Sequence, residues 1–179
     1  MSMMNITLTP EPDLSHWQEN LQASQSQINR AAVRALNKTA RWMRTQVSRE
    51  TAQSLKIKVG SVRKSLRLQR ANTTRPEAGV GLPLKAGVVK AIHLGSSQQT
   101  AKGVRVGRYA WPGAFMATMP SGHKGVFKRK GKSRLPIREM HIVMTGRMAK
   151  AMELLAQGPA LQRFEQLFEQ ELRFILSSR

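Results

Sequence analysis

The amino-acid sequence predicts an α+β fold, with helices at both ends of the chain and strands between them. Apolar residues recur at helical spacing through the first 50 residues, and this spacing returns near the C-terminus. Between these regions, short apolar runs separated by Gly, Pro and Ser are typical of strands and turns. Because the helices and strands occupy separate stretches, α+β is favoured over alternating α/β. We expect a long N-terminal helix, a central mostly antiparallel sheet with a basic hairpin loop, and C-terminal helices packing on the sheet.

The N-terminal region is predicted to contain an arm and a long helix. Residues 1–14 contain two prolines and lack helical periodicity, so we expect an extended arm. Residues 15–50 are predicted to form one helix, which Ser15 and Gln18 could begin as a capping box. A helix of about 30 residues is about 45 Å long, so we expect part of it to pack on a neighbouring subunit. The candidates for that contact are Leu14, Trp17, Leu21 and Ile28.

The remainder of the chain is predicted to complete a single domain over residues 15–179. Residues 51–145 form a basic β-rich core, which includes a short helix after a turn at Gly60 and a hairpin whose strands are residues 114–119 and 125–129. Residues 146–179 form C-terminal helices that Gly158 and Pro159 interrupt, because glycine ends helices and proline favours their first turn.

The positive charge of the chain is concentrated in its centre. The 179 residues include 30 Lys or Arg and 10 Asp or Glu, a net charge of +20. Residues 51–150 contain 21 basic and 2 acidic residues, and residues 78–138 contain no carboxylate. Such a segment cannot neutralise itself, so we expect its densest cluster to face DNA or an acidic partner. This cluster comprises Lys124, Lys128, Arg129, Lys130, Lys132, Arg134 and Arg138.

Catalytic and metal-binding patterns are lacking in the sequence. It has no cysteine, one aspartate and four widely separated histidines. The glycines at 125 and 131 are separated by five residues, whereas a phosphate-binding P-loop needs four. Glu139 and His141 could form an acid–base pair in an extended strand, but no third polar residue is evident to orient them. We therefore expect no enzyme activity, cofactor, metal or small-molecule substrate. With no apolar stretch of about 20 residues, we also expect no membrane partner.

A set of glycine, aromatic and basic positions resembles a known family. The positions are Gly113, Ala114, Phe115, Gly122, Gly125, Val126, Phe127, Arg129, Gly131, Arg134, Pro136 and Ile137. They are similar to the pattern of the minor tail protein Z family of lambda-like bacteriophages and prophages, and the resemblance extends over roughly residues 15–175. Residues 138–146 depart from the family's usual Gly-Pro-Ser-like turn.

The resemblance implies a structural virion protein that acts in tail completion at or near the head–tail junction. It further implies a homo-oligomeric ring around the DNA passage, contacts with other tail or neck proteins, non-specific contact with genome DNA, and assembly in the host cytoplasm. A different class of protein also fits the charge and size, namely a small basic nucleic-acid-binding protein of ribosomal or nucleoid type. Formation of a defined ring would distinguish the first class from the second.

Overall fold

The computed structural model describes residues 3–8, 24–83 and 87–177. The helices are α1 (Gln25–Leu55), α2 (Val59–Ser65), α3 (Thr145–Ala156) and α4 (Pro159–Ser177). The strands are β1 (Met3–Leu8), β2 (Arg67–Gln69), β3 (Ala78–Pro83), β4 (Val88–Lys90), β5 (Ser97–Thr100), β6 (Gly103–Val106), β7 (Tyr109–Pro112), β8 (Ala114–Thr118), β9 (Lys124–Arg129), β10 (Ile137–Glu139) and β11 (His141–Val143). Helices at both ends and strands between them confirm the predicted α+β class.

The long helix α1 is confirmed, but its bounds differ from the prediction. It begins after Ser24, whose backbone N–H donates to the side-chain oxygen of Gln27 at 2.9 Å. It continues five residues past the predicted end and stops where Lys56 adopts a left-handed conformation, with φ of 48°. The capping box predicted at residues 15 and 18 lies outside the described residues. The structure therefore uses a Ser–Gln pair nine residues further along the chain.

The C-terminal helices pack mainly on α1, whereas the sequence predicted packing on the sheet. α4 lies along the N-terminal half of α1, and α3 contacts both α1 and the first sheet. Apolar residues at spacings of three and four place one face of α4 against Ile28 and Leu36. These α4 residues are Phe164, Leu167, Phe168, Leu172 and Ile175. The apolar periodicity of α4 is thus satisfied by another helix.

Within the described residues, the strands form four small antiparallel sheets instead of one central sheet. Their strand orders are β1-β3-β2, β10-β9-β8, β11-β4 and β5-β6-β7. The first sheet includes residues 3–8, so this part of the predicted arm is extended but pairs with β3. Gly79 permits the pairing, because a Cβ there would lie 2.3 Å from the Ile6 carbonyl oxygen. The described strands are three to six residues long.

The second half of α1 organises the sheets around a common core. Met43 and Val47 of α1 are fully buried with Met148 and Met152 of α3 and with residues of the strands. The Tyr109 hydroxyl donates to the Leu55 carbonyl oxygen at 2.6 Å, which attaches the β5–β7 sheet to the end of α1. The predicted short helix and the β8–β9 hairpin are both present, although Gly60 lies inside α2 and does not form a turn.

Candidate functional site

The predicted basic cluster lies on β9, β10 and the loop between them, which we call the basic hairpin (residues 124–138). The Lys130 N–H donates to the Pro136 carbonyl oxygen at 3.0 Å and closes the loop. Six of the seven predicted basic side chains are exposed, and Lys128 is half-buried. The seven basic residues that are clustered in the sequence therefore lie on one hairpin of the structure.

The positive charge of the basic hairpin is uncompensated by carboxylates. Within the described part of the chain, none of its seven basic side chains lies within 4.0 Å of a carboxylate oxygen. Lys128 and Arg138 are directly opposite each other in the β9–β10 pairing. Like charges at opposed positions of neighbouring strands destabilise a sheet. An anion bound across the two strands would remove this repulsion.

The aromatic rings of the hairpin have different environments. Phe127 is buried, with 5% of its surface exposed, and its ring centroid lies 6.3 Å from that of Phe115. The Phe115 ring, by contrast, is partly exposed. The guanidinium carbon of Arg129 lies 5.2 Å from its centroid, within range of a cation–π interaction. Phe115 thus positions one cation of the basic hairpin.

Glu139 connects three parts of the chain beside the basic hairpin. Its carboxylate oxygens lie 2.8 Å from Nε2 of His123 and 3.0 Å from Nζ of Lys90. Burial raises the pKa of Glu139, but hydrogen bonds from Lys90 and His123, together with their charges, outweigh it and lower the pKa. His141, the sequence-predicted neighbour, lies 3.3 Å from the Glu139 backbone oxygen and not from its carboxylate. The carboxylate therefore has a structural role between the β8–β10 and β4–β11 sheets.

Of the four residues suggested for subunit packing, Ile28 lies in the part of the chain that the structure describes. Leu14, Trp17 and Leu21 lie outside the described residues. Ile28 is fully buried inside the chain, where the apolar face of α4 already covers it. Apolar side chains that remain exposed lie elsewhere on the described surface. They are Val59, Val88, Leu135, Val143, Leu154, Leu161 and Phe174.

A basic groove of about 670 Å³ lies between α1 and α4 and was not predicted. The nearly buried carboxylate of Glu171 pairs there with Lys38 and lies 3.6 Å from a terminal nitrogen of Arg34. Arg41 and Arg70 also line the groove. The helical spacing of the α1 cations was visible in the sequence, but their position beside Glu171 depends on how α4 packs.

The described residues offer little for metal binding or membrane insertion. Among them, no group of three or more His, Asp or Glu side chains could hold a metal ion. None of the described helices combines the length and apolar character that a membrane span requires.

Comparison with known protein families gives a match over most of the chain. Residues 18–178 match the family model of prophage minor tail protein Z (GPZ). The chain belongs to this family. Minor tail protein Z is a structural phage tail protein and not an enzyme. This assignment confirms the resemblance inferred from the glycine and aromatic pattern.

A curated relative of this minor tail protein comes from Escherichia phage N15 and is named a tail completion protein. It is 27% identical over 140 residues, which cover 72% of this chain and 71% of the relative. No solved structure shows significant similarity. The basic hairpin lies within residues 18–178, the part of this chain that matches the family model.

Proposed function

We propose that this minor tail protein completes the phage tail as a ring at the head–tail junction, with the basic hairpin facing the DNA passage. Family membership and the name of the N15 relative, tail completion protein, support a role in tail completion. The observation that carries the DNA-facing part is the opposition of Lys128 and Arg138, neither of which has a carboxylate oxygen within 4.0 Å among the described residues. DNA phosphates are anions that could lie across both strands.

The distribution of charge supports a surface for backbone contact without reading of base sequence. The exposed cations lie on two short strands and a loop, and not along a helix suited to the major groove. Contacts of Lys and Arg with phosphates are independent of sequence and weaken as salt rises. DNA that moves through a passage requires contacts of this kind, because any sequence must be able to pass.

A ring requires that one face of each subunit meets a different face of the next. We propose that the segment containing Leu14, Trp17 and Leu21 contributes to this contact, because its apolar spacing gives it a surface to bury. Ile28 is not included, since α4 covers it within the chain.

The proposal is tested by comparing two triple variants of the purified full-length protein. The first carries Lys128→Ser, Lys130→Ser and Lys132→Ser in the basic hairpin. The matched control removes three cations from the exposed surface of the β5–β7 sheet, Lys102, Arg105 and Arg108. Double-stranded DNA binding is measured across salt concentrations, and assembly size by analytical ultracentrifugation.

We expect the hairpin variant alone to reduce the slope of log affinity against log salt, by about 2.7 for three lost phosphate contacts. Both variants should retain the assembly of the unmodified protein. Equal slopes for the two variants would overturn the DNA-facing proposal. If the hairpin variant lost binding to an acidic tail protein while DNA binding was unchanged, the surface would belong to that partner. A monomer that bound DNA at near-physiological salt and never assembled would favour the nucleic-acid-binding class.

A further inference from the structure

A second groove, of about 750 Å³, lies between α2 and β4. We call it the α2–β4 groove. Lys58 precedes α2, Lys64 lies within α2, and both are exposed at the groove wall. Among the described residues that line it, none is a carboxylate. The groove is therefore open to an acidic ligand.

The free edge of β4 lines this groove. In the described residues, β4 has one hydrogen-bonded neighbour, β11, with Val89 opposite Ile142. Two further bonds join the same strands, from Met144 N–H to the Gly87 oxygen and from Ala91 N–H to the Met140 oxygen. Because bonded and non-bonded pairs alternate in antiparallel sheets, residues 87, 89 and 91 face β11.

The intervening residues Val88 and Lys90 therefore direct their backbone N–H and C=O groups away from β11. The Lys90 C=O is used by the 3-10 turn Ala91–His93, for which Lys90 is the N-cap residue. No hydrogen bond to another described residue uses the N–H and C=O of Val88 or the N–H of Lys90. They form a short open edge beside the groove, and an open strand edge is a template for another strand. A peptide can occupy such an edge because its own N–H and C=O groups alternate in the same way. A nucleic acid lacks this backbone pattern.

The side chains at the edge define which peptide would fit. Val88 is 43% exposed and offers an apolar contact at the groove. Lys58 and Lys64 have no carboxylate partner within 4.0 Å in the described chain. Lys90 also lines the groove, but its ammonium already pairs with Glu139 at 3.0 Å. The uncompensated charge thus comes from the α2 side, opposite the strand edge.

We propose that the α2–β4 groove binds an extended acidic segment of a partner protein, which adds to β4 as a third strand. Backbone hydrogen bonds to Val88 and Lys90 would set its register. Carboxylates of the segment would pair with Lys58 and Lys64, and an apolar residue would cover Val88. The bound segment needs only about three to five residues, or about 10 to 17 Å of strand. This docking does not depend on the basic hairpin contacting DNA.

The test uses an array of octapeptides in which Asp or Glu alternates with Val, Ile or Leu. The purified full-length protein is compared with Val88→Pro, which removes an outward N–H without removing a β4–β11 bond. Val143→Pro is the matched control, since Val143 is opposite Val88 and its N–H points to the other edge of this sheet. Circular dichroism and thermal melting confirm that both variants are folded.

We expect array peptides to bind the unmodified protein and Val143→Pro alike, and Val88→Pro at least tenfold more weakly. Lys58→Glu with Lys64→Glu should also weaken binding at least tenfold, whereas Lys102→Glu with Arg105→Glu should change it less than twofold. No binding by any array peptide, or equal binding by the two proline variants, would overturn the proposal. A different outcome is displacement of the peptides by a single-stranded oligonucleotide whose binding is weakened by Lys58→Glu and Lys64→Glu but not by Val88→Pro. That result would assign the groove to nucleic acid.

Discussion

Replacement of Glu139 by glutamine tests whether this carboxylate joins the β8–β10 and β4–β11 sheets. The substitution keeps the size of the side chain but removes the charge that pairs with Lys90 at 3.0 Å and with His123 at 2.8 Å. The Glu139 side chain is 23% exposed, so both contacts are partly shielded from water. We expect a folded protein of reduced stability.

The magnitude follows from the exposure of the two partners. A hydrogen bond to a charged group contributes about 1.5 to 3 kcal/mol. Lys90 is 47% and His123 38% exposed, so water solvates both once the carboxylate is lost. We therefore expect Glu139→Gln to cost about 1 to 2 kcal/mol in total. For a chain of this size that corresponds to a fall in Tm of about 2 to 8 °C.

The loss of stability caused by Glu139→Gln should become smaller as the pH falls. Because the pKa of Glu139 is lowered in the folded protein, the carboxylate stabilises the fold fully above its ordinary pKa of 4.5. This contribution is lost as pH falls through the lower pKa of the folded state. The stability difference between the unmodified protein and Glu139→Gln should therefore shrink on acidification below about pH 4.5.

Urea unfolding between pH 7 and pH 3.5 measures this difference directly. The matched control is Glu153→Gln, an exposed carboxylate on α3 with no ion-pair partner in the described chain. We expect this control to change stability by less than about 0.5 kcal/mol. Equal effects of the two substitutions, or a difference that grows on acidification, would refute the role assigned to Glu139.

Three further predictions concern packing and are measured by urea unfolding. Phe127→Ala should cost about 3 to 5 kcal/mol and Phe115→Ala about 1 to 2, because only the first ring is buried; equal costs would contradict this distinction. Leu172→Ala should cost about 2 to 5 kcal/mol, since Leu172 is fully buried between α4 and α1; an unchanged midpoint would contradict that packing. Gly103→Ala should cost about 2 kcal/mol or more, because its φ is +145° and a Cβ would lie 2.2 Å from the Trp111 oxygen. Gly60→Ala should not destabilise the protein, because a Cβ there meets nothing within 4 Å. Equal losses of stability for the two glycine substitutions would refute backbone strain at Gly103.

The helices were the most predictable part of the fold, because their signals are local in sequence. The spacing of Met148, Met152 and Leu155 defined α3, and all three are buried. The break at Gly158 and Pro159 was also correct, since α4 begins at Pro159. The bounds of α1 were less accurate, because a Ser–Gln capping pair occurs twice within residues 15–27.

The division into four sheets could not be predicted, because it depends on pairing between distant segments. The paired residues of β4 and β11 are about 50 positions apart in the sequence. The paired strands β1 and β3 are separated in the sequence by the whole of α1. Similar apolar runs along the centre of the chain gave no basis for choosing among these partners. The packing of α4 on α1 was missed for the same reason, since an apolar helix face fits either a helix or a sheet.

The positive charge of the candidate site could be predicted from the sequence, but the positions of its side chains in space could not. The basic hairpin follows from counting residues, because 61 consecutive positions lack a carboxylate. The contacts of Glu139 were not foreseen, since Lys90 and His123 are 49 and 16 positions away from it. The partial exposure of Phe115 could not be predicted either, because its position opposite Phe127 in the β8–β9 pairing does not indicate where the core ends.

A cryo-EM map of the assembled head–tail junction tests the central proposal most directly. We expect a closed ring of this minor tail protein, with residues 124–138 of every subunit directed toward the DNA passage. Density for Lys128 and Arg138 should face the lumen, within contact distance of DNA phosphates where DNA is retained. A map in which the protein forms no ring, or in which these residues are buried against an acidic tail protein away from the lumen, would contradict the proposal.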